Sequence, residues 1–503
     1  MIITIELTAA IDSAGTTQNL YLATGQFITE AIDTPAHTAF EPRLLDAGTI
    51  GVHVYSDGKT GGKTRLETGE ILIANIDGEL DAWLDYSFDG RPVIIRQGEV
   101  GTAYPAGFTI LFNGTAEALE ADRDKIVIRL RDQAYLFDKP LSQSAYGGTN
   151  ALPNGLDGTV DDLKGKRKPR IYGQVFNFEP LQVNTSRLVF QLNDGALASV
   201  DAVYDRGVAL SAGAAYTSQS DMEANAPVAA QYRAWLAGGY IRLGSSPAGQ
   251  VTVNAAQGAA AGNRTTAQVL KQMALDAGFV AGLINSADMA ALDALNSSVV
   301  GMIIQDQTIL EAMDSMAASI GAYYYIDRTG QYRVGRLTGP GTPVMTFYDY
   351  DLLGIERRPS NDVNIPAWKV TLRHAHNETV QTSDLAGSVS DARRAWLALA
   401  DRTAIYTDST IKNQWRLARE VEFNGRLTVA IDALNEAQRL LNLYKVKRNI
   451  YEITVPVETA VPELMATVGI DYGRFGLSGG VAFRVIGQTL NAVARTVSLT
   501  LWG

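Results

Sequence analysis

An α+β chain dominated by β structure is the fold class the sequence predicts, and three observations predict it. Short runs of alternating apolar and polar residues recur from end to end, and 47 glycines supply turns between them. One stretch, Asp306 to Leu337, reads as a complete helix, strand, turn and strand. At 503 residues the chain is too long for a single core, so several domains are expected.

The helix–hairpin stretch organises the rest. Asp306 is read as its N-cap, and Ile309, Leu310, Met313, Met316, Ala317 and Ile320 recur at the spacing that lines one helix face. Gly321 ends the helix. Tyr323 to Ile326 then forms a strand, Asp327-Arg328-Thr329-Gly330 a turn, and Gln331 to Leu337 a second strand. A two-stranded ribbon is not stable alone, so the helix must cover it; each fully buried Met, Ile or Leu contributes roughly 1.5–3 kcal/mol.

Residues 1–140 read as an antiparallel β domain. Ile3, Ile5 and Leu7 alternate, as do Gly51 to Tyr55, and Glu70 to Ile76 reads as a further strand. A loop at Ser56 to Gly62 is read as mobile. Leu80, Trp83 and Leu84 fit a short helix with an inward apolar face, and Lys125 to Arg131 is a strand with Ile126, Ile128 and Leu130 on one side. A closed or nearly closed barrel is expected, since closure removes edges.

Residues 141–262 are expected to form a β-rich insert domain that opens on a linker rich in Gly, Pro, Asn and Asp. The linker ends in Lys164, Lys166, Arg167, Lys168 and Arg170, the strongest local charge feature of the chain. Such a run serves either as a patch for phosphate or an acidic partner, or as a solvated loop. Residues 263–345 hold a helix over Thr265 to Gly278 and the helix–hairpin unit, a small α+β domain. Residues 346–503 read as a second β domain with packed helices, at Ser390 to Asp401 and from Asp432, its expected cap, to Tyr444. Its strands alternate at Tyr451–Val457, Val481–Val485 and Val497–Leu501. The plan of strands plus a helix echoes residues 1–140 without a sequence repeat.

Composition narrows the function. Hydrophobic residues at 46% and charged residues at 19% let each domain bury a core unaided. The chain has no cysteine, which excludes disulfides, thiolate metal sites and cysteine nucleophiles. A net charge of −11 argues against a general nucleic-acid binder, though it suits a wall along which a polyanion slides without sticking. The N-terminus, Met1 to Leu7, alternates like a strand and lacks a basic leader, and no apolar run reaches membrane-spanning length; synthesis in the cytoplasm and no membrane span are the expectation.

Chemistry-bearing groups are sparse. His374-Ala375-His376 puts two imidazoles on one strand face, but a metal needs further ligands, and a surface or interface pair is the expected role. His53 is read as a surface strand position. Asp77, Glu79, Asp81, Asp85 and Asp89 crowd near Trp83, Tyr86 and Phe88, the material of a glycosidase cleft. On a short helix most of them face solvent. No catalytic, cofactor or metal residues are assigned.

Three segments carry a family resemblance: ILEAMDSMAASIGAYYYIDRTGQYRVGRL from Ile309, DALNEAQRLLNLYKVKRNIYEITVPV from Asp432 and VAFRVIGQTLNAVARTVSLTLWG from Val481. With PRIYGQVFNFEPL from Pro169 and AVYDRGVAL from Ala202, they resemble tail-tip, or baseplate, hub proteins of long-tailed bacteriophages. The resemblance implies two tail-tube-like β-barrel domains, 1–140 and 346–503, with the rest inserted between them. It also implies a homotrimer that offers six tube-like domains to a hexameric tail tube and passes to a threefold central fibre or spike. Other implied partners are a distal tail or tube protein and the tape measure, with DNA crossing the channel without specific binding. A ring interface of this kind typically buries on the order of 2,000 Å² or more. The implied location is the virion tail tip. The competing class is a tail-associated protein that degrades or binds cell-wall glycans. The sequence ends at Trp502-Gly503, directly after the last expected strand, which favours the structural, non-enzymatic class.

Overall fold

The two ends of the chain fold into sheets with the same strand order. The computed structural model describes residues 1–55, 65–140, 142, 144–151, 153–358, 365–457, 461–491 and 494–503. The N-terminal sheet runs Thr17–Ala23, Ile2–Ala10, Pro92–Gly98, Thr109–Ala121, Lys125–Arg131, Glu70–Ala74 and Leu44–Asp46. The C-terminal sheet runs Met345–Tyr348, Thr467–Tyr472, Leu477–Asn491, Thr496–Trp502, Ile450–Pro456 and Gly354–Arg358. From Pro92–Gly98 onward the neighbours match in order, and every pair is antiparallel in both sheets. The first strands differ: Ile2–Ala10 is antiparallel to its neighbour, whereas Met345–Tyr348 is parallel to Thr467–Tyr472.

Alternation produces these strands as the sequence predicts. Ile126, Ile128 and Leu130 are buried while Arg129 is exposed, and Val497, Leu499 and Leu501 are fully buried. The fold is mostly β, as expected, with multiple sheets and a half-barrel. Each sheet path ends on edge strands, and the apolar faces meet in one core that joins Ile5, Leu7, Ile71 and Ile128 to Phe347, Ile453, Phe483 and Leu499. The apolar face of each end sheet stays buried here because the other sheet covers it.

Between the ends lie further cores. One five-stranded sheet is ordered Val208–Ala209, Ser199–Asp205, Val251–Ala256, Arg170–Phe178 and Gly301–Ile304. A second five-stranded sheet faces it across Ile171, Phe190, Leu192, Val203, Ile241 and Val253. Hydrogen bonding therefore crosses the boundary drawn at 262, since Gly301–Ile304 pairs with Arg170–Gly173.

The helix–hairpin unit forms largely as read. The helix is Ile309–Ala318, with Ile309, Met313, Met316 and Ala317 buried; Gly321 takes φ +58 just after it. Its cap is Thr308 and not Asp306: the Thr308 hydroxyl accepts from the Glu311 amide, and the Glu311 carboxylate accepts from the Thr308 amide. Two residues of offset move the start because only Thr308 has a Glu three positions on. The hairpin Ala322–Ile326 and Tyr332–Arg336 turns on Asp327, whose carboxylate accepts from the amides of Thr329 and Gln331.

Two more helices complete this core. Thr266–Asp276 is capped by Thr265, and Ser286–Leu295, which the sequence reading passed over, is capped by Asn285. The helix Ala430–Tyr444 also enters it, through Ala433, Ala437, Leu440 and Leu441. Asp432 is no cap; it lies in the first turn after Val429. That helix packs on a three-stranded sheet, Arg402–Thr407, Ala367–His374 and Arg419–Asn424. Packing thus also crosses the boundary drawn at 345: the sheet and helix within 367–444 share a core with residues 263–345. The loop Ser56 to Gly62 lies outside the described residues.

Candidate functional site: the seam between the end sheets

The two end sheets are sewn together by a hairpin. Strand Thr49–His53 leaves the N-terminal sheet and pairs with the far half of Leu477–Asn491, His53 opposite Gly487 and Ile50 opposite Leu490. Arg65–Thr68 backs it on the other side. Behind the hairpin, Val52, Val54 and Tyr55 pack with Ile450, Met465, Ile486 and Trp502, and with Tyr325 and Leu337 of the helix–hairpin unit. Gly487 is required here: a Cβ at that position would collide with the His53 imidazole. His53 is therefore a seam residue, half-buried, with Nε2 3.4 Å from the Thr489 hydroxyl.

Above the shared core the sheets leave a cavity of about 390 Å³, lined by Ile50, Val52, Leu111, Val457, Gln488 and Leu490 among others. Its walls are mainly apolar. An arrangement of this kind holds two sheets in fixed register. The seam was missed in sequence reasoning because alternation reports which face is buried and not which sheet a strand joins. A local signal was the glycine at 487, set among the alternating residues of this strand.

The basic run is dispersed. Arg170 donates to Asp276 at 2.8 Å, and Arg167 donates to the Ser142 carbonyl at 2.7 Å. Lys168 lies 5.4 Å from the centre of the Tyr146 ring. Lys164 and Lys166 are exposed. Three of the five cations are thus committed to internal contacts, and the two lysines face solvent.

The histidine pair separates. The strand Ala367–His374 ends at His374, and Ala375 turns the chain with φ +47, so the rings do not share a strand face. His374 is buried, and burial, aided by Arg402, pushes its pKa down. His376 Nδ1 is 2.7 Å from Asp401 Oδ1 and its Nε2 is 3.6 Å from Glu378 Oε2. Burial pushes the Glu378 carboxyl up. Among the described residues no group of three His, Asp or Glu side chains could hold a metal ion.

The acidic cluster is bound up in structure. Arg43 clamps Asp77 through two 2.8 Å bonds and Glu79 through a 2.7 Å bond, and holds the Asp77 carboxyl down at about 2. Asp81 accepts from Asn75 at 2.8 Å, and Asp89 pairs with Arg131 at 3.0 Å. The short helix is a 3-10 turn, Asp81–Asp85; Trp83 is buried in it, while Leu84, expected inward, is 57% exposed. Three-residue periodicity puts 80 and 83 on one side and turns 84 out.

A polar junction that sequence reasoning did not find ties the insert to the sheet around Ala367–His374. Asn177, with φ +54 and fully buried, donates to the Asn377 side chain at 3.0 Å and to the Thr379 carbonyl at 2.7 Å. Asn377 donates to the carbonyls of Leu397 and Leu399. The Asn177 bonds join segments 200 and 202 residues apart, and the Asn377 bonds close loops of 20 and 22 residues, so the junction was not legible from local pattern.

No sequence family and no curated protein matches the chain. Among solved structures it is similar to phage tail proteins. A tail protein from Neisseria meningitidis aligns at a TM-score of 0.43 and 11% identity, covering 100% of this chain and 96% of that chain. A 43 kDa prophage tail protein from Shewanella oneidensis aligns at 0.41 and 12% identity, covering 99% and 95%. A prophage tail protein from Listeria monocytogenes aligns at 0.40 and 9% identity, covering 100% and 94%.

Proposed function

We propose that this chain is a structural component of a bacteriophage tail tip, a hub whose three copies form a ring. In this reading each copy contributes its two end sheets, and six sheets surround the channel through which DNA leaves. The observation that carries it is the pair of end sheets with one strand order, fused through one core and one shared hairpin. Two like sheets held side by side in one chain give a threefold ring six similar building blocks, which is what meeting a sixfold tube at one face and a threefold fibre or spike at the other requires. The inserted cores would stand outside the channel wall and meet neighbouring tail proteins. The net charge of −11 is consistent with a wall that repels DNA and lets it slide. The role involves no turnover: the acidic cluster nearest to a glycosidase arrangement has Arg43 inside it.

Cryo-microscopy of the intact tail tip tests this reading. The expected result is three copies in a closed ring, six end sheets around the bore and a negative potential on its wall. One copy off the axis, or a basic bore, would overturn it.

A further inference from the structure

The cavity at the seam has one chemical character on its walls and another at its rim. Ile50, Val52, Leu111 and Leu490 line it and are otherwise buried, so its inner surface is aliphatic. Ile50, Val52 and Leu490 come from the paired strands of the seam, and Leu111 from the strand Thr109–Ala121 of the N-terminal sheet. Among the described lining residues there is no aromatic ring and no histidine. Flat ligands such as nucleobases are held by the faces of aromatic side chains, and this wall has none. A flexible alkyl chain needs only aliphatic surface around it. A volume of about 390 Å³ lies at the small end of the range for small-molecule sites, roughly 300–1,000 Å³, which suits one chain and not two.

The rim carries a positive charge that the structure positions. Arg328 lines the cavity from the turn between Ala322–Ile326 and Tyr332–Arg336. That turn is fastened to the N-terminal sheet, because the Asn113 side-chain amide donates to the Thr329 carbonyl at 2.9 Å. Gly330, at φ +82, lies so close to Asn113 that a Cβ there would stand 3.2 Å from its side-chain nitrogen. Arg328 is exposed and forms no ion pair among the described residues. Its neighbour Asp327 is turned to Arg333, at 3.4 Å. The other charged groups of the lining, Glu99 and the Met1 amine, lie 3.2 Å apart and offset each other. Gln97, Thr102, Thr109 and Gln488 are neutral, so one cation is left over at the mouth of an aliphatic cavity.

We propose that this cavity binds a single-chain aliphatic carboxylate. The alkyl chain lies against Ile50, Val52, Leu111 and Leu490, and the carboxylate meets the Arg328 guanidinium, whose paired N–H donors match its two oxygens. The site is complete within one copy, so the inference stands apart from the ring reading. A ligand there touches the seam, the N-terminal sheet and the helix–hairpin unit at once, and its binding free energy adds to the cohesion of all three.

Isothermal titration calorimetry of the full chain with decanoate, kept below its micelle concentration, tests the site, with melting followed alongside. The expected result is saturable binding of one decanoate per chain and a melting temperature that rises with decanoate concentration. Thr109→Trp brings a bulky ring to the cavity from an exposed lining position and should weaken decanoate binding by about 10-fold or more. Arg328→Gln should weaken decanoate binding by about 10-fold and leave decanol binding unchanged, since only the carboxylate uses the guanidinium. Decyltrimethylammonium should bind more weakly than decanoate to the wild type. Absence of saturable decanoate binding overturns the proposal, and so does undiminished binding by a folded Thr109→Trp. Equal decanoate affinity in Arg328→Gln and wild type, or decyltrimethylammonium binding as tight as decanoate, overturns the assignment of a carboxylate. Arg328 sits on an exposed turn, so its substitution decides the matter even if Thr109→Trp fails to fold.

Discussion

Asp132 shows how one side chain sets a pH response. Its carboxylate accepts from the Ala134 amide at 3.1 Å and caps the turn Gln133–Phe137. Burial nonetheless lifts its pKa from 3.8 to about 6, against the pull of that amide and of Arg131. Between those values the folded chain binds more protons than the unfolded one, so stability falls as pH rises. The contribution is complete below about 3.8 and lost once pH passes about 6. His374 works in the opposite sense, since its lowered pKa costs stability as pH falls below 6.5. A difference measurement separates the two. Relative to wild type, Asp132→Asn keeps the cap and never ionises, so it should be about equal at pH 4 and more stable by about 1–2 kcal/mol at pH 7.5, after allowing for solvent screening of a half-buried group. Urea unfolding of both proteins at the two pH values checks this; a difference that does not change with pH would refute it.

Elements were legible where their signal is local. The stripe Ile309, Met313, Met316 and Ile320 and the alternation in Lys125–Arg131 and Thr496–Trp502 depend on residues a few positions apart, and each formed as read. Capping was read less well, because Asp306 and Thr308 are both good caps and only the reciprocal Glu311 distinguishes them. What joins elements was not legible. Arg336 on the strand Tyr332–Arg336 forms an ion pair with Glu436 on the helix Ala430–Tyr444, and Arg439 adds a 2.7 Å bond to the same carboxylate. The pair is closed off from water, at 7% and 1% side-chain exposure, and burial brings the Arg336 pKa down to about 10. Glu436→Ala leaves a buried guanidinium without its main partner and should cost about 3–5 kcal/mol. Replacing the pair together, Arg336→Met with Glu436→Leu, should cost much less, because desolvation of both charges is removed at once. Chemical unfolding of the two variants checks the order; equal losses would show that packing and not charge governs this contact.

At the scale of the whole molecule, the seam makes the ends of the polypeptide one cooperative unit. Thr49–His53 is bonded to Gly487–Asn491, and Ile5, Ile128, Ile453 and Leu499 share a core, so neither end sheet can open without exposing the apolar face of the other. Sequence periodicity predicted strands at both ends but not that their sheets share a core and a hairpin, since a strand with an inward apolar face looks the same whichever sheet it completes. Gly487 is where this can be tested. Gly487→Val puts a branched side chain against the His53 imidazole and should push the hairpin off the edge, at a cost of about 1–3 kcal/mol from overpacking alone. Once the hairpin is off, the two sheets keep only their packed faces in common. Calorimetry of the wild type should therefore show the end sheets melting in a single transition, and Gly487→Val should separate it into two or lower it by several degrees. Gly354→Val, at a strand glycine whose added Cβ would have open space around it, serves as the comparison and should leave the transition in place. If both variants melt like the wild type, the hairpin is not what couples the halves.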